Sequence, residues 1–169
     1  MSQSEVNAQR EVFAGVVDQH LSSQSYFNAE TTAEIPFGVL VVATTTEGEC
    51  KLPTDGTVPL GVVMHSHAYS KGSSDLDNLG DDGLKPSASV AVLRKGTIRV
   101  LLEEDVVAGE AVRVRVVADT GEQLGAFRTT ADSTDCAVLA GAQYLEGGSD
   151  GGTALLEIDM NAVAALNND

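Results

Sequence analysis

A chain of 169 residues with 43 % hydrophobic content is long enough for one well-buried core and too apolar to be disordered. Its net charge of −15 argues against nucleic acid and anionic membranes as partners, because both are held by clustered Lys and Arg. With 4 % aromatic residues and no Trp, the core must be built from Val, Leu, Ile and Ala, and little surface is left for stacking on sugars or bases.

In chain order, residues 1–34 differ from the rest of the chain. Met1 to Arg10 is polar and lacks an apolar signal-peptide core, so synthesis in a cytoplasm without standard secretion is expected. Val12, Phe13, Val16, Val17 and Leu21 lie close to helical spacing, whereas Leu21 to Glu34 has no clear period. The segment reads as an extended N-terminal arm with one or two helical turns. Phe13, Tyr26 and Phe27 are three of the chain's seven Phe and Tyr residues. Aromatics in a polar arm point to docking, either on the chain's own body or on a partner. Phe13, Val16, Tyr26 and Phe27 are therefore the candidate contact residues.

From Ile35 to Met160, short Val-rich runs alternate with turn signals such as Pro53-Thr54-Asp55-Gly56, Asp119-Thr120-Gly121 and Asp150-Gly151-Gly152. Strands are expected at Val39–Ala43, Glu49–Leu52, Leu60–His65, Ser89–Leu93, Thr97–Leu102, Ala111–Val117, Gln123–Thr129 (weak), Val138–Tyr144 and Thr153–Met160. Arg94-Lys95-Gly96 is either a tight turn or a bulge in one long bent strand. Val112-Arg113-Val114-Arg115-Val116 alternates strictly, which puts both arginines on one face, toward solvent or an acidic neighbour. Residues 66–88 form the longest gap, and Asn161 to Asp169 a polar tail with room for one helical turn. The expected architecture is all-β: a small β-barrel or jelly-roll-like sandwich over 35–160, with an arm at 1–34 and a tail at 161–169.

No catalytic constellation stands out. His65 and His67 share a strand face and would chelate a metal with a third ligand, which the local sequence lacks unless Asp75, Asp77, Asp81 or Asp82 supplies it; two surface histidines are the favoured reading. Asp75 to Gly83 is oxygen-rich but lacks the ordered EF-hand pattern and its closing Glu, so it reads as a solvated acidic loop. Glu103-Glu104-Asp105 is expected to stay in water. Cys50 and Cys136 have no CxxC partner and read as buried or half-buried thiols. The turn Val106 to Val112 is similar to one in lipoyl and biotinyl carriers, but Lys95 lacks the flanks of a modified lysine. GxSxG, P-loop, GxGxxG and HExxH are absent. No enzyme activity, cofactor or metal is expected.

Several segments, in order, carry a resemblance. Ile35-Pro36-Phe37-Gly38-Val39-Leu40-Val41 resembles the "IPFGR.V" opening of bacteriophage capsid cement (decoration) proteins. Lys51-Leu52-Pro53 with Pro59-Leu60-Gly61-Val62-Val63 resembles their "KLP…LGVA" pair. Val90 to Val100 is similar to their "V.VL.KG.V.V" hairpin, Glu103 to Val114 to "E.V.AGD.V.V", and Ala140 to Leu145 with Gly152 to Ile158 to "GARFL…G.A.VE". The match covers residues 35–160; the arm and the loop from Ser66 to Ala88 depart from it. The resemblance implies a virion structural protein on the outer surface of an icosahedral head. It also implies that the protein clamps neighbouring major capsid protein subunits and associates with itself as a homodimer or homotrimer, without catalytic residues. The alternative is a host- or glycan-binding β-module of a fibre or adhesin, which the low aromatic count disfavours. A trimeric β-barrel enzyme acting on a nucleotide would need phosphate-binding loops and an activated water, and no such set can be assembled.

Overall fold

The computed structural model describes residues 14–29, 34–65, 84–162 and 165–166. Ten strands follow in chain order: β1 (Val17–Asn28), β2 (Leu40–Ala43), β3 (Glu49–Lys51), β4 (Pro59–Val63), β5 (Ser89–Leu101), β6 (Arg113–Arg115), β7 (Phe127–Arg128), β8 (Cys136–Val138), β9 (Ala142–Tyr144) and β10 (Thr153–Asp159), closed by a 3-10 turn at Met160–Ala162. The protein is all-β, as its short Val-rich runs predict.

A seven-stranded sheet runs β1-β3-β2-β4-β5-β10-β9, and an added β1–β5 pairing closes its first five strands into a barrel. All neighbours in that ring are antiparallel except β1 and β3, which run parallel over Phe27↔Glu49 and Asn28↔Cys50. A three-stranded sheet, β7-β6-β8, packs beside it.

Two apolar clusters fill the molecule. Val39, Val41, Cys50, Leu60, Val63, Val90 and Val92 belong to one; Leu40, Val42, Val62, Ile98, Val100, Val114, Phe127, Leu156 and Ile158 belong to the other. β2 therefore buries both faces, odd residues in one cluster and even residues in the other, as a strand between two cores must. Every residue of β4 is buried for the same reason.

β5 joins the two halves. Its even residues Val90 and Val92 lie in the first cluster, whereas the even residues Ile98 and Val100 lie in the second. The faces swap at Arg94-Lys95-Gly96, where Gly96 takes a φ of 134° and the register against β1 shifts between Ser22 and Ser23. The long-bent-strand alternative is thus the one realised. Before the swap β5 pairs with β4 at Leu93 and Val92; after it, with β10 from Lys95 to Leu101.

Several expectations change; the strand expected over Ala111–Val117, for one, is confined to Arg113–Arg115. Residues 17–21, expected near a helix, lie in β1, which pairs along β5 from Val17↔Ile98 to Phe27↔Ser89. A strand held by main-chain bonds needs no apolar alternation, so periodicity did not reveal it. The expected strand Val138–Tyr144 is two elements: β8 ends at Val138 in the small sheet, Leu139 bonds back to Val112, and β9 begins at Ala142 in the large sheet. The weak strand over Gln123–Thr129 shrinks to Phe127–Arg128. The tail is not wholly polar in its role: Leu166 is fully buried, and its amide and carbonyl bond Thr57 and Gly56.

Candidate functional site

The four candidate contact residues separate. Phe13 lies outside the described residues. Val16 is partly exposed, and its carbonyl accepts from the Arg99 amide at 2.9 Å. Tyr26 is half-buried against the first cluster, and its hydroxyl donates to Gln24 Oε1 at 2.6 Å. Phe27, the next residue, points the other way, as strand alternation requires, and is 56 % exposed. Of the three described positions, Phe27 presents the largest apolar side chain to solvent.

The ends of β1 are fixed by its neighbours. Gly15 takes a φ of +76°, its amide bonds the Arg99 carbonyl at 2.6 Å, and its carbonyl accepts from the His65 amide at 2.6 Å. A Cβ there would lie 2.6 Å from that His65 nitrogen. Buried Asn28 closes the far end. Its side-chain Nδ2 donates to the Leu84 carbonyl at 2.8 Å, and its main chain bonds Ala88 and Ser87.

The densest polar arrangement lies where the two sheets meet. Arg115 on β6, 2 % exposed, donates from Nε to Glu103 Oε2 at 2.7 Å and from Nη2 to Asp132 Oδ2 at 2.8 Å; its Nη1 pairs with Glu122 at 2.8 Å. Arg128 Nη1 bonds Glu103 Oε1 at 2.8 Å, and its Nη2 approaches Glu104 at 3.3 Å. Glu104 also accepts from the Thr130 amide and hydroxyl, each at 2.6 Å. Glu103 and Glu104, expected in water, are thus largely withdrawn from it by partners distant in sequence. For Arg115, the acidic-neighbour alternative is the one realised.

Each group responds as its partners dictate. Burial pulls the Arg115 guanidinium down, but bonds to Glu103 and Asp132 outweigh it and hold it firmly protonated. Burial raises the Glu104 carboxyl, and the Thr130 hydroxyl and amide bonds, with Thr129 and Arg128, reverse that to leave it below its usual range. Asp132 is lowered chiefly by its Arg115 bond. Both arginines line an open cleft of about 450 Å³ together with Glu103, Glu122, Asp132 and Asp150. Each guanidinium is already engaged, so the arrangement ties elements together and leaves no cation directed at a ligand.

The remaining candidates stay apart. His65 packs in a tilted arrangement against Phe37, ring centroids 4.9 Å apart, while His67 and the Asp75–Gly83 loop lie outside the described residues. Among the described residues no group of three or more His, Cys, Asp or Glu could hold a metal. Cys50 and Cys136 are both free and buried, and burial pushes the Cys50 thiol up to about 12. Among the described residues no helix is long and apolar enough to cross a membrane.

A closed barrel extended by a ribbon and a second sheet, with ion pairs tying the sheets together, defines an all-β structural module. The family model described as structural cement protein (E217 gp24/Pam3 gp6) matches residues 3–159, and the chain belongs to that phage family. Its role is that of a phage virion structural protein, with the capsid as its location. The fold is similar to a chain in the capsid of Myoviridae phage XM1, with a TM-score of 0.58 and 14 % identity over 89 % of this chain and 93 % of that one. A second similarity is to the N base of head fiber gp8.5 in bacteriophage phi29, with a TM-score of 0.48 and 13 % identity over 82 % and 94 % of the two chains. No curated protein matches the sequence.

Proposed function

We propose that this protein binds the outside of an icosahedral phage head and cements neighbouring major capsid subunits, acting there as a homo-oligomer and not as an enzyme. The observation that carries the reading is the family match, which runs through β1 and the whole barrel. The net charge of −15 supports an outward rather than a DNA-facing position, since DNA would repel it. Phe27, with the other candidates Phe13, Val16 and Tyr26, supplies the contact to capsid or neighbouring subunit. Because many copies act on one shell, a modest affinity per copy is sufficient.

The test uses expanded heads that lack this protein. Adding the purified chain should fill discrete sites and raise the temperature at which the heads rupture. Heads that take up no protein and rupture unchanged would refute the cementing role.

A further inference from the structure

The strand that closes the barrel buries few of its described side chains. Among the described side chains of β1, only Asn28 is buried; Val17 and Tyr26 are half-buried, and Ser22, Ser23, Gln24 and Ser25 are all exposed. Main-chain bonds to β5 hold it, over a register that slips three times between Val17 and Ser23. Over Ser22–Ser25 the strand is polar and exposed on both faces, and such stretches specify register weakly and are prone to exchange between copies. The place β1 occupies is nevertheless demanding. Its removal would leave the edge of β5 from Ser89 to Ile98 unpaired, an open template for another strand.

That place is also selective at both ends. One end accepts only a residue without Cβ, where Gly15 touches His65 and Val63, and the other is closed by the Asn28 amide on Leu84. The strand that satisfies both ends is this chain's own sequence, from the same copy or from another. Ile35 exchanges both main-chain bonds with Leu84, whose carbonyl also accepts from Asn28, so β1 ends beside the residue at which the chain rejoins the body, with only residues 29–34 between. Short connections favour passing the element to a neighbour, where every contact of the strand is kept.

We propose that β1 is exchanged between two copies of this chain, each laying its β1 into the place between β5 and β3 of the other. The partner is a second identical chain, and the contact is strand addition, in which main-chain bonds give affinity and the two ends give selectivity. The proposal concerns the isolated protein, so it stands or falls separately from capsid binding.

The register supplies the test. Ser25 lies opposite Ala91, and Ser22 opposite Lys95. Full-length chains carrying Ser25→Cys with Ala91→Cys, or Ser22→Cys with Lys95→Cys, are oxidised mildly and run without reductant beside the parent chain. Exchange predicts a covalent species of twice the chain mass for both pairs and none for the parent. It further predicts that chains carrying Ser25→Cys alone, refolded with chains carrying Ala91→Cys alone, become linked to one another. Internal disulfides confined to single chains would overturn the proposal. Failure of both pairs to link, with the variants folded by circular dichroism, would overturn it too, because β1 would then not lie on β5 at all.

Discussion

The Nε of Arg115 donates to both carboxylate oxygens of Glu103, at 2.7 and 3.0 Å, and joins β6 of the small sheet to the segment that follows β5 of the large one. Both side chains are largely removed from water. Removing one partner strands the other's charge, which in buried pairs costs about 3–5 kcal/mol. Arg115→Leu should therefore lower unfolding free energy by ~3 kcal/mol. Glu103→Gln keeps shape and an acceptor and leaves the Arg115 charge paired with Glu122 and Asp132, so it should cost less, ~1 kcal/mol. Urea titrations of the two variants and their combination check this, and a double variant that simply sums the single effects would show the pair to be uncoupled.

The acid limb of stability follows from Glu104 and Asp132. Both carboxyls are held below their ordinary values of 4.5 and 3.8. A lowered folded value means the unfolded state takes up protons first as pH drops. The stabilisation is thus complete above the ordinary values and lost as pH falls through the lowered ones. The urea midpoint should be flat from about pH 7 to about pH 5 and fall progressively below that. Thr130→Val removes the hydroxyl bond that Glu104 accepts and should make the fall shallower. A midpoint independent of pH down to about pH 3 would contradict the role of these groups.

Gly61 marks a close approach of β4 to β5. An added Cβ would overlap the Leu93 carbonyl and press on Val92, and main chain cannot yield as a side-chain tip can. Gly61→Ala should cost about 3 kcal/mol or prevent folding, whereas Gly48→Ala, with open space at its Cβ, should cost about 1 kcal/mol for its positive φ alone. Equal effects of the two, measured by thermal unfolding, would show that crowding at Gly61 is relieved locally.

Much of this fold was legible because its strands announce themselves locally. Val39 to Val42 alternates between two cores, and apolar spacing with flanking turns finds it without knowledge of partners. β1 escaped because a strand of Ser and Gln is stabilised by the edges it meets, which lie far away in sequence. The split of β8 from β9 escaped because Val138 to Tyr144 reads as one apolar run, and only the sheet assignment separates its ends. The Arg115 cluster was half legible: the alternation over Val112–Val116 placed Arg115 on a face, but Glu103 and Asp132 reach it through folding alone. Of the contact candidates, alternation decides which of Tyr26 and Phe27 faces inward once the strand is known, and the sequence treated them alike.

Both thiols should be silent in the native protein. Burial raises Cys50 to about 12 and also raises Cys136, so little thiolate exists at neutral pH, and neither sulfur is accessible. A thiol reagent should label neither cysteine until denaturant unfolds the chain. Rapid labelling of the folded protein would place one of them near a local opening.

The manner of attachment to a shell separates charge from apolar contact. If exposed acids of this chain met basic patches, salt would strip it, because exposed pairs are screened beyond about 8–10 Å at moderate ionic strength. If Phe27 inserted into an apolar site, salt would be neutral or helpful, since it also relieves repulsion between neighbouring copies that each carry −15. The second outcome is expected. Phe27 is 56 % exposed, so Phe27→Ala removes no core packing and should leave the unfolding midpoint unchanged. Aromatic anchors at interface centres commonly cost about 2 kcal/mol when truncated, so occupancy on purified heads should fall some ~30-fold in apparent affinity. Tyr26→Ala, half-buried in the body, should instead lower stability, and Phe13→Ala and Val16→Ala run in parallel report whether the contact extends along the chain. Stripping by moderate salt with Phe27→Ala silent would assign attachment to charge.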